Sequence, residues 1–335
     1  MALYGQGIVP AQIPYGAELA AVTRRGFMPY FVVQIYQSSP ALAALLSNKQ
    51  TAGGGVSSIS VPVQGNPMTT SQWTGYSGAF TTPTQQQGAF LSEFDLKALI
   101  TPVTFLGMEG ALQLDHAVVP LLEARMNDAG NNGAAALQTA LYGNSTNTTQ
   151  LIGFPGAIDD GTNAATYGNL ARAYSWWQSK QYAAGSVAPT RKLVLQYIVG
   201  CQKYGSENPT MGLMGPGTWT NLADDFVGQE SYQIQPGRGF DSDGDRPRSA
   251  FKALDVAGVP VYMDLGCPEG TMYLLNTKYM HLHVHEQANF SFSGFESLLS
   301  NSVLGYIGIV LTLCELVVVK PTTQSAVTGF TSISL

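Results

Sequence analysis

The chain has 335 residues with 16 basic and 22 acidic ones, so 11% of it is charged, where about a quarter is usual for a soluble protein. Hydrophobic residues make up 45% and glycines number 37, so glycine and uncharged polar residues have replaced the missing charge. That excludes a polytopic membrane protein and argues against a disordered chain, and the net charge of −6 argues against a nucleic-acid reader with a basic face.

Cys201, Cys267 and Cys314 form no CxxC and no zinc pattern, and are expected as buried reduced thiols. Met1 to Gly7 lacks the basic-then-apolar order of a secretory signal, so none is expected. The longest apolar stretch, Val303 to Val319, is broken by Gly305, Gly308 and Glu315. It falls short of the roughly 20 residues that span a bilayer and suits buried strands instead.

In chain order, residues 1–48 read as an arm divided by Pro10, Pro14, Pro29 and Pro40, with the basic pair Arg24 and Arg25 in its middle. From Gln50 to Ser92 there is no Asp, Glu, Lys or Arg, and Trp73, Tyr76, Phe80 and Phe90 are spaced through the tract. Alternation at Val56–Val61 and turn residues at Gly53–Gly55 and Gly65–Pro67 predict a long, irregular β-hairpin. So long an uncharged loop is poorly protected against edge association, which points to a resting place on another molecule. Apolar residues at helical spacing between Gly107 and Tyr142 predict a spine helix, with a kink or restart at Pro120 and a possible interruption at Gly130-Asn-Asn-Gly133.

A second unit begins near Pro189 with a helix expected over Arg191–Lys203. Strands are expected at Ala257–Asp264, Thr271–Asn276 and Met280–His285, with a mobile loop at Pro236–Pro247 before them. Tyr306–Val319 predicts a long strand or strand pair, followed by a Thr/Ser-rich tail. The order of strands, helix, mixed unit and strands is α+β rather than doubly wound.

Candidate chemistry is sparse. His281, His283 and His285 share one side of a predicted strand, so they are either a three-imidazole zinc set or the polar side of an interfacial strand. Same-face Cβ atoms nearly 7 Å apart along a strand converge poorly on one metal, and the metal-dependent enzyme stays the alternative. Asp241-Ser-Asp243-Gly-Asp245 has its Gly at the fourth position and no bidentate Glu at the twelfth, so it reads as a solvated turn, not a calcium loop. Asp159-Asp160 before Gly161 reads as a turn. No Walker loop, dinucleotide fingerprint, nucleophile elbow or H-E-x-x-H occurs, and four histidines leave the chain poorly stocked for acid–base work. No enzyme activity, cofactor or catalytic residue is expected.

Beyond the spine, Gly153-Phe-Pro-Gly-Ala-Ile-Asp159, Tyr167-Gly-Asn-Leu-Ala-Arg172 and Trp176-Trp177 stand in a series. They are followed by Cys201-Gln-Lys-Tyr-Gly205, Gly258–Asp264, Cys267-Pro-Glu-Gly270 and Leu275-Asn276. Over about residues 100–320 this resembles the major capsid proteins of tailed bacteriophages. The resemblance implies the Hong Kong 97 (HK97-like) capsid fold: an N-terminal arm at 1–48, an extended β-hairpin (E-loop) at 49–100 and a peripheral domain with the spine at 101–189. An axial domain at 190–285 and returning peripheral strands with the tail at 286–335 complete it. It also implies a structural protein that assembles into hexamers and pentamers, forming the icosahedral head around double-stranded DNA. The location is then the virion, after assembly in the host bacterial cytoplasm. A bacterial encapsulin-type shell shares the fold and is a second alternative.

The partners implied are copies of the chain itself, a portal, possibly a cement or decoration protein, and packaged DNA by non-specific proximity only. No membrane is implied. Without a charged helical extension ahead of the arm, a separate scaffolding protein is the expected partner. Candidate assembly residues are Arg24, Arg25, Trp73, Tyr76, Phe80, Phe90, Arg172, Trp176 and Trp177, since aromatic side chains and arginine dominate interface anchors.

Overall fold

A computed structural model describes residues 39–66, 71–76, 78–79, 88–106, 118–143, 149–227, 253–298 and 305–333. Arg24, Arg25, Phe80, His116, the first part of the expected spine and the Pro236–Pro247 loop with its three aspartates lie outside the described residues.

The last piece of the arm is a helix, Pro40–Ser47 (α1). Ser39 caps it, its Oγ accepting the Leu42 N–H at 3.4 Å, and Pro40 takes the first helical position where its missing N–H costs nothing. Gln50–Ala52 (β1) follows, then the hairpin formed by Ser58–Gln64 (β2) and Ala89–Asp95 (β3), in register from Ser58↔Asp95 to Gln64↔Ala89. The hairpin therefore starts at Ser58 and not at Gln50. Lys97–Leu106 (β4) leads toward the spine.

The spine, Val118–Tyr142 (α2), is one helix of 25 residues. Pro120 sits in its first described turn, where proline is tolerated. The interruption expected at Gly130–Gly133 does not occur. Both glycines are buried while Asn131 and Asn132 face out, and a Cβ at Gly133 would lie 3.4 Å from Thr101 Oγ1 on β4. Close packing on the sheet outweighs a propensity cost of about 1 kcal/mol per glycine.

Phe154–Ala157 (α3), the two-residue strands Thr166–Tyr167 (β5) and Leu170–Ala171 (β6), and Lys180–Val187 (β7) come next. Arg191–Gly205 (α4), Met211–Met214 (β8) and Pro216–Val227 (α5) follow, then Ala253–Val256 (β9), Val259–Met263 (β10) and Met272–Leu275 (β11). The chain continues with Met280–His285 (β12), Ser291–Ser297 (β13), Gly305–Val318 (β14) and Ser325–Phe330 (β15).

Two sheets organise the molecule. The five-stranded one runs β1-β12-β14-β13, with β4 also paired to β14; the six-stranded one runs β7-β15-β11-β8-β10-β9. The spine side of the first sheet, with Val103, Val310 and Cys314, shares a core with Met126, Leu137 and Leu141 of α2 and with Leu213 and Tyr273 of the second sheet. The other side of the second sheet packs Met214, Val261, Met272 and Leu274 against Val194 and Ile198 of α4 and Leu222 of α5. Covered on both faces, β8 and β11 are buried at every position, hence the unbroken apolar runs Met211–Met214 and Met272–Leu275. The supposed Thr/Ser-rich tail contains β15, an interior strand with Ser325 and Val327 fully buried between β7 and β11.

Candidate assembly surface and its buried support

The segment that carries the family-like residues is a polar knot inside the subunit. Asp159 is fully buried. Its Oδ2 accepts the backbone N–H groups of Gly161, Asn163 and Ala164 at 3.0, 3.0 and 2.9 Å, and its Oδ1 accepts Asn163 Nδ2 at 3.0 Å. The expected turn at Asp159-Asp160 is thus a closed loop around one carboxylate.

Arg172, 1% exposed, donates through Nη2 to the carbonyls of Gly156 and Ala157 and through Nη1 to those of Asp159 and Trp177. These include the last carbonyls of α3, which a helix leaves without internal partners. Burial lowers the guanidinium pKa, against the opposing pull of Tyr167, Asp159 and Asp160, and the guanidinium carbon lies 4.9 Å from the centre of the Tyr167 ring. Trp177 is fully buried and donates its indole N–H to the Tyr167 carbonyl at 2.9 Å. Tyr167 donates its O–H to the Leu316 carbonyl and accepts the Val318 N–H, tying the knot to the buried end of β14.

Arg172 and Trp177 therefore leave the set of candidate interface residues. Side chains sealed by their own subunit cannot touch a neighbour, and both Arg172 Nη groups and the Trp177 indole N–H already have partners within the subunit.

Trp176 and Phe90 are half-buried and act at the root of the hairpin. Phe90 lies 4.9 Å from the Trp176 ring and 5.5 Å from that of Tyr174, and Tyr174 stacks on Trp176 at 5.3 Å. A Cβ at Gly65 would sit 2.2 Å from the Trp176 ring, so β2 runs against the indole only because position 65 is glycine. Beside them, Phe94 packs on Tyr167 at 4.9 Å and the Glu93 N–H meets the Gly168 carbonyl at 3.0 Å. The root is clamped to the knot. Farther along, Trp73 and Tyr76 are fully exposed.

His281, His283 and His285 do share one side of β12, half-buried, while Met280, Leu282 and Val284 point into the core. The first two rings lie 6.4 Å apart, edge to face. Among the described residues no group of three metal-binding side chains comes together. Burial and the neighbouring His281 lower the pKa of His283.

Opposite His283 in the register stands Glu315 of β14, which the sequence singled out only as a break in an apolar run. It is fully buried, its Oε1 accepts the N–H groups of Ile152 and Leu316 at 3.0 and 3.2 Å, and Oε2 has no partner. Burial pushes its pKa from the ordinary 4.5 to about 7, against those two hydrogen bonds and Lys97, with Asp95 adding to the rise. A raised carboxyl pKa means the folded chain holds a proton that the unfolded chain releases, so stability falls as pH climbs from about 4.5 to 7 and is level above that. Glu315→Gln is expected to flatten that decline and to exceed the parent at pH 8 by about 1–2 kcal/mol. Urea unfolding between pH 5 and 8 measures it, and an unchanged slope would refute the assignment.

A third buried carboxylate ties α1 and the spine to the six-stranded sheet. Asp264, fully buried at the end of β10, accepts Ser39 Oγ at 2.5 Å and the Ala41 N–H at 3.3 Å on Oδ2, and Gln138 Nε2 at 3.0 Å and the Gly266 N–H at 2.9 Å on Oδ1. At the other end of α1, Asn48 Nδ2 donates to the carbonyls of Thr277 and Met280. So α1 is pinned to the six-stranded sheet by its first residues and to the entry of β12 by its last. Cys201, Cys267 and Cys314 are buried free thiols, their pKa values raised by burial.

With this geometry in hand, comparison with solved structures is decisive for the fold. The cyanophage A-1(L) capsid matches with a TM-score of 0.64 at 16% identity, covering 88% of this chain and 93% of that one. The capsid of a native gene transfer agent (GTA) particle matches at 0.54 and 14%, over 86% and 90%. The holo-encapsulin complex of Synechococcus elongatus matches at 0.51 and 10%, over 89% and 91%. No protein-family model and no curated protein matches the chain. The chain has the HK97-like capsid fold, α+β, with a hairpin, a spine helix and two sheets in the order expected.

Proposed function

We propose that this chain is a structural shell protein, the major capsid protein of a tailed bacteriophage, which assembles into hexamers and pentamers around double-stranded DNA. The observation that carries the reading is a match to a phage capsid over 88% of this chain combined with a hairpin that is clamped at its root and followed, beyond β2, by the fully exposed Trp73 and Tyr76. Such a hairpin suits a neighbouring copy, where exposed Trp and Tyr side chains act as anchors and the low charge of an interface core is met in advance. The net charge of −6 keeps packaged DNA from adhering to the wall, since binding by counterion release needs basic residues.

In this reading residues 1–48 are the arm, 49–100 the hairpin, 101–189 the peripheral domain, 190–285 the axial domain and 286–335 the returning strands. Sheet membership favours one refinement: β12 goes with the peripheral sheet, and β7 and β15 with the axial one. The partners are other copies, a separate scaffold, a portal and a possible cement protein, within a virion assembled in the bacterial cytoplasm. An encapsulin-type shell is the second reading, supported by the match to that fold; nuclease-protected phage DNA in purified particles separates the two.

Purified chain, alone or with its scaffold, is expected to give rings of five or six or closed shells in negative-stain microscopy. A strict monomer at high concentration with scaffold present would overturn the proposal. Replacing residues 67–87 by a two-residue turn keeps the paired strands from Ser58↔Asp95 to Gln64↔Ala89. The subunit should then melt within a few degrees of the parent yet form no shells. Normal shells from this variant would remove the hairpin from assembly.

A further inference from the structure

Glu315 stands where both legs of the hairpin leave the body. β14 pairs with β4 from Gly305 to Cys314, opposite Lys97, and with β12 from Cys314 to Val318. Glu315 is thus the first residue past the handover. Its row across the sheet runs through His283 to Gln50, the first residue of β1, which leads to β2. On the other leg, Asp95 ends the hairpin ladder against Ser58 and the Leu96 N–H meets the Ser57 carbonyl at 3.0 Å. β4 begins one residue later, at Lys97. The strand ends that carry the hairpin converge on one carboxyl.

That carboxyl is unevenly served. Oε1 accepts two backbone N–H groups, while Oε2, equally buried, accepts none. Half-satisfied and out of water, the group is costly to ionise. β3 and α3 both pack against β14, so water reaches Glu315 when one of these covers lifts. Of the charges nearby, Lys97 favours the ionised form and Asp95 opposes it, and His283 stands directly opposite. Glu93, His281, His285 and Glu296 occupy other register positions. Glu286 lies in the single turn after β12, and α3 carries no charge.

We infer that Glu315 is a proton-operated latch on the hairpin: protonated, it stays buried and keeps β3 down on the body; ionised, it draws in water and β3 lifts at its root. The contacts that must part are the Glu93 N–H to the Gly168 carbonyl and Phe94 on Tyr167. The ladder between β2 and β3 is not among them, so the hairpin moves as a unit. The closed chain holds its proton up to about pH 7, whereas an opened one releases it from about 4.5. Opening therefore grows as pH rises through that window and is level above it. The latch does not rest on the shell-protein reading, and the unassembled subunit tests it whether or not shells form.

The test is amide exchange of the full-length, unassembled chain at pH 5 and 8, read at single residues by mass spectrometry and corrected for the intrinsic pH dependence of exchange. Opening at the Glu93 amide should be about 70-fold more frequent at pH 8 than at pH 5. Its protection at pH 8 should also fall below that of amides inside α4, the mark of opening short of global unfolding. In Glu315→Gln the 70-fold ratio should drop to one, and a variant that keeps it overturns the latch. The parent decides the matter even where that variant does not fold. Equal protection of Glu93 and α4 at both pH values would mean that only global unfolding exposes the carboxyl, and overturns the latch. A response at the Ile152 amide without one at Glu93 overturns it too, for then the segment ahead of α3 lifts and the hairpin does not.

Discussion

Replacing Arg172 by Ala lowers the stability of the subunit by about 3–5 kcal/mol, the range for stripping one partner from a buried, hydrogen-bonded charge site. The guanidinium is 1% exposed and serves the carbonyls of Gly156, Ala157, Asp159 and Trp177. Truncation leaves those acceptors unpaired in a space that the Ala methyl cannot fill, and each unmet buried group costs about 1–3 kcal/mol. Arg172→Lys fails almost as badly, because a single ammonium cannot fork to carbonyls on two sides. Urea unfolding of the unassembled subunit measures both variants. A loss below about 1 kcal/mol would mean that water or a neighbouring side chain takes over the carbonyls, and the knot would not depend on Arg172. A residue acting mainly between subunits would give the opposite pattern, with normal unfolding and failed assembly.

Asp264→Ala is expected to cost about 2–4 kcal/mol, since four donors from α1, α2 and the β10–β11 loop converge on one carboxylate. Its signature is spatially specific. Losing the Ser39 and Ala41 contacts frees the start of α1, so limited proteolysis should cut between residues 39 and 48 faster than in the parent, well below the global melting temperature. Asp264→Asn keeps the shape and two acceptor lone pairs but turns one donor-facing position into an NH₂, so it should fall between parent and Ala. Equal protection of α1 in all three proteins would show that Leu42, Leu45 and Leu46, which are buried beneath the helix, suffice to hold it.

Periodicity made the most regular parts legible. Alternation gave β12 almost to the residue, the long apolar run gave β14, and the helix expected from Arg191 does begin there, behind a Thr190 cap that accepts the Leu193 N–H. The charge-free tract pointed to the hairpin, although its first residues, Gln50–Ala52, pair with β12 instead. Local pattern failed where distant partners decide. Ser325-Ala-Val-Thr-Gly-Phe330 is too polar and small to announce an interior strand; β7 and β11 make it one by covering it. Asp264 gave little local sign because three of its four partners lie 126, 223 and 225 positions away. Arg172 and Trp177 looked like surface anchors because residue type alone favours interfaces, whereas burial among neighbouring turns fixes them inside. Trp176 and Phe90, adjacent in type and in space, hold the hairpin where it leaves the body, and only Trp73 and Tyr76 of the described candidates remain free to meet another molecule.

The position of β15 also sets an order of events during synthesis. Among the described strands it is the sole partner of β7 and one of two partners of β11, yet it begins at Ser325, long after both have been synthesised. Until then β7 lacks its partner among the described strands and the sheet ends at β11. Such late, long-range pairing is slow because loop closure must precede any gain from the contact. The hairpin and its aromatic tip are made early and the sheet that completes the body is made late. A nascent chain is thus unable to close the six-stranded sheet along β7 and β11 before residue 330 is available.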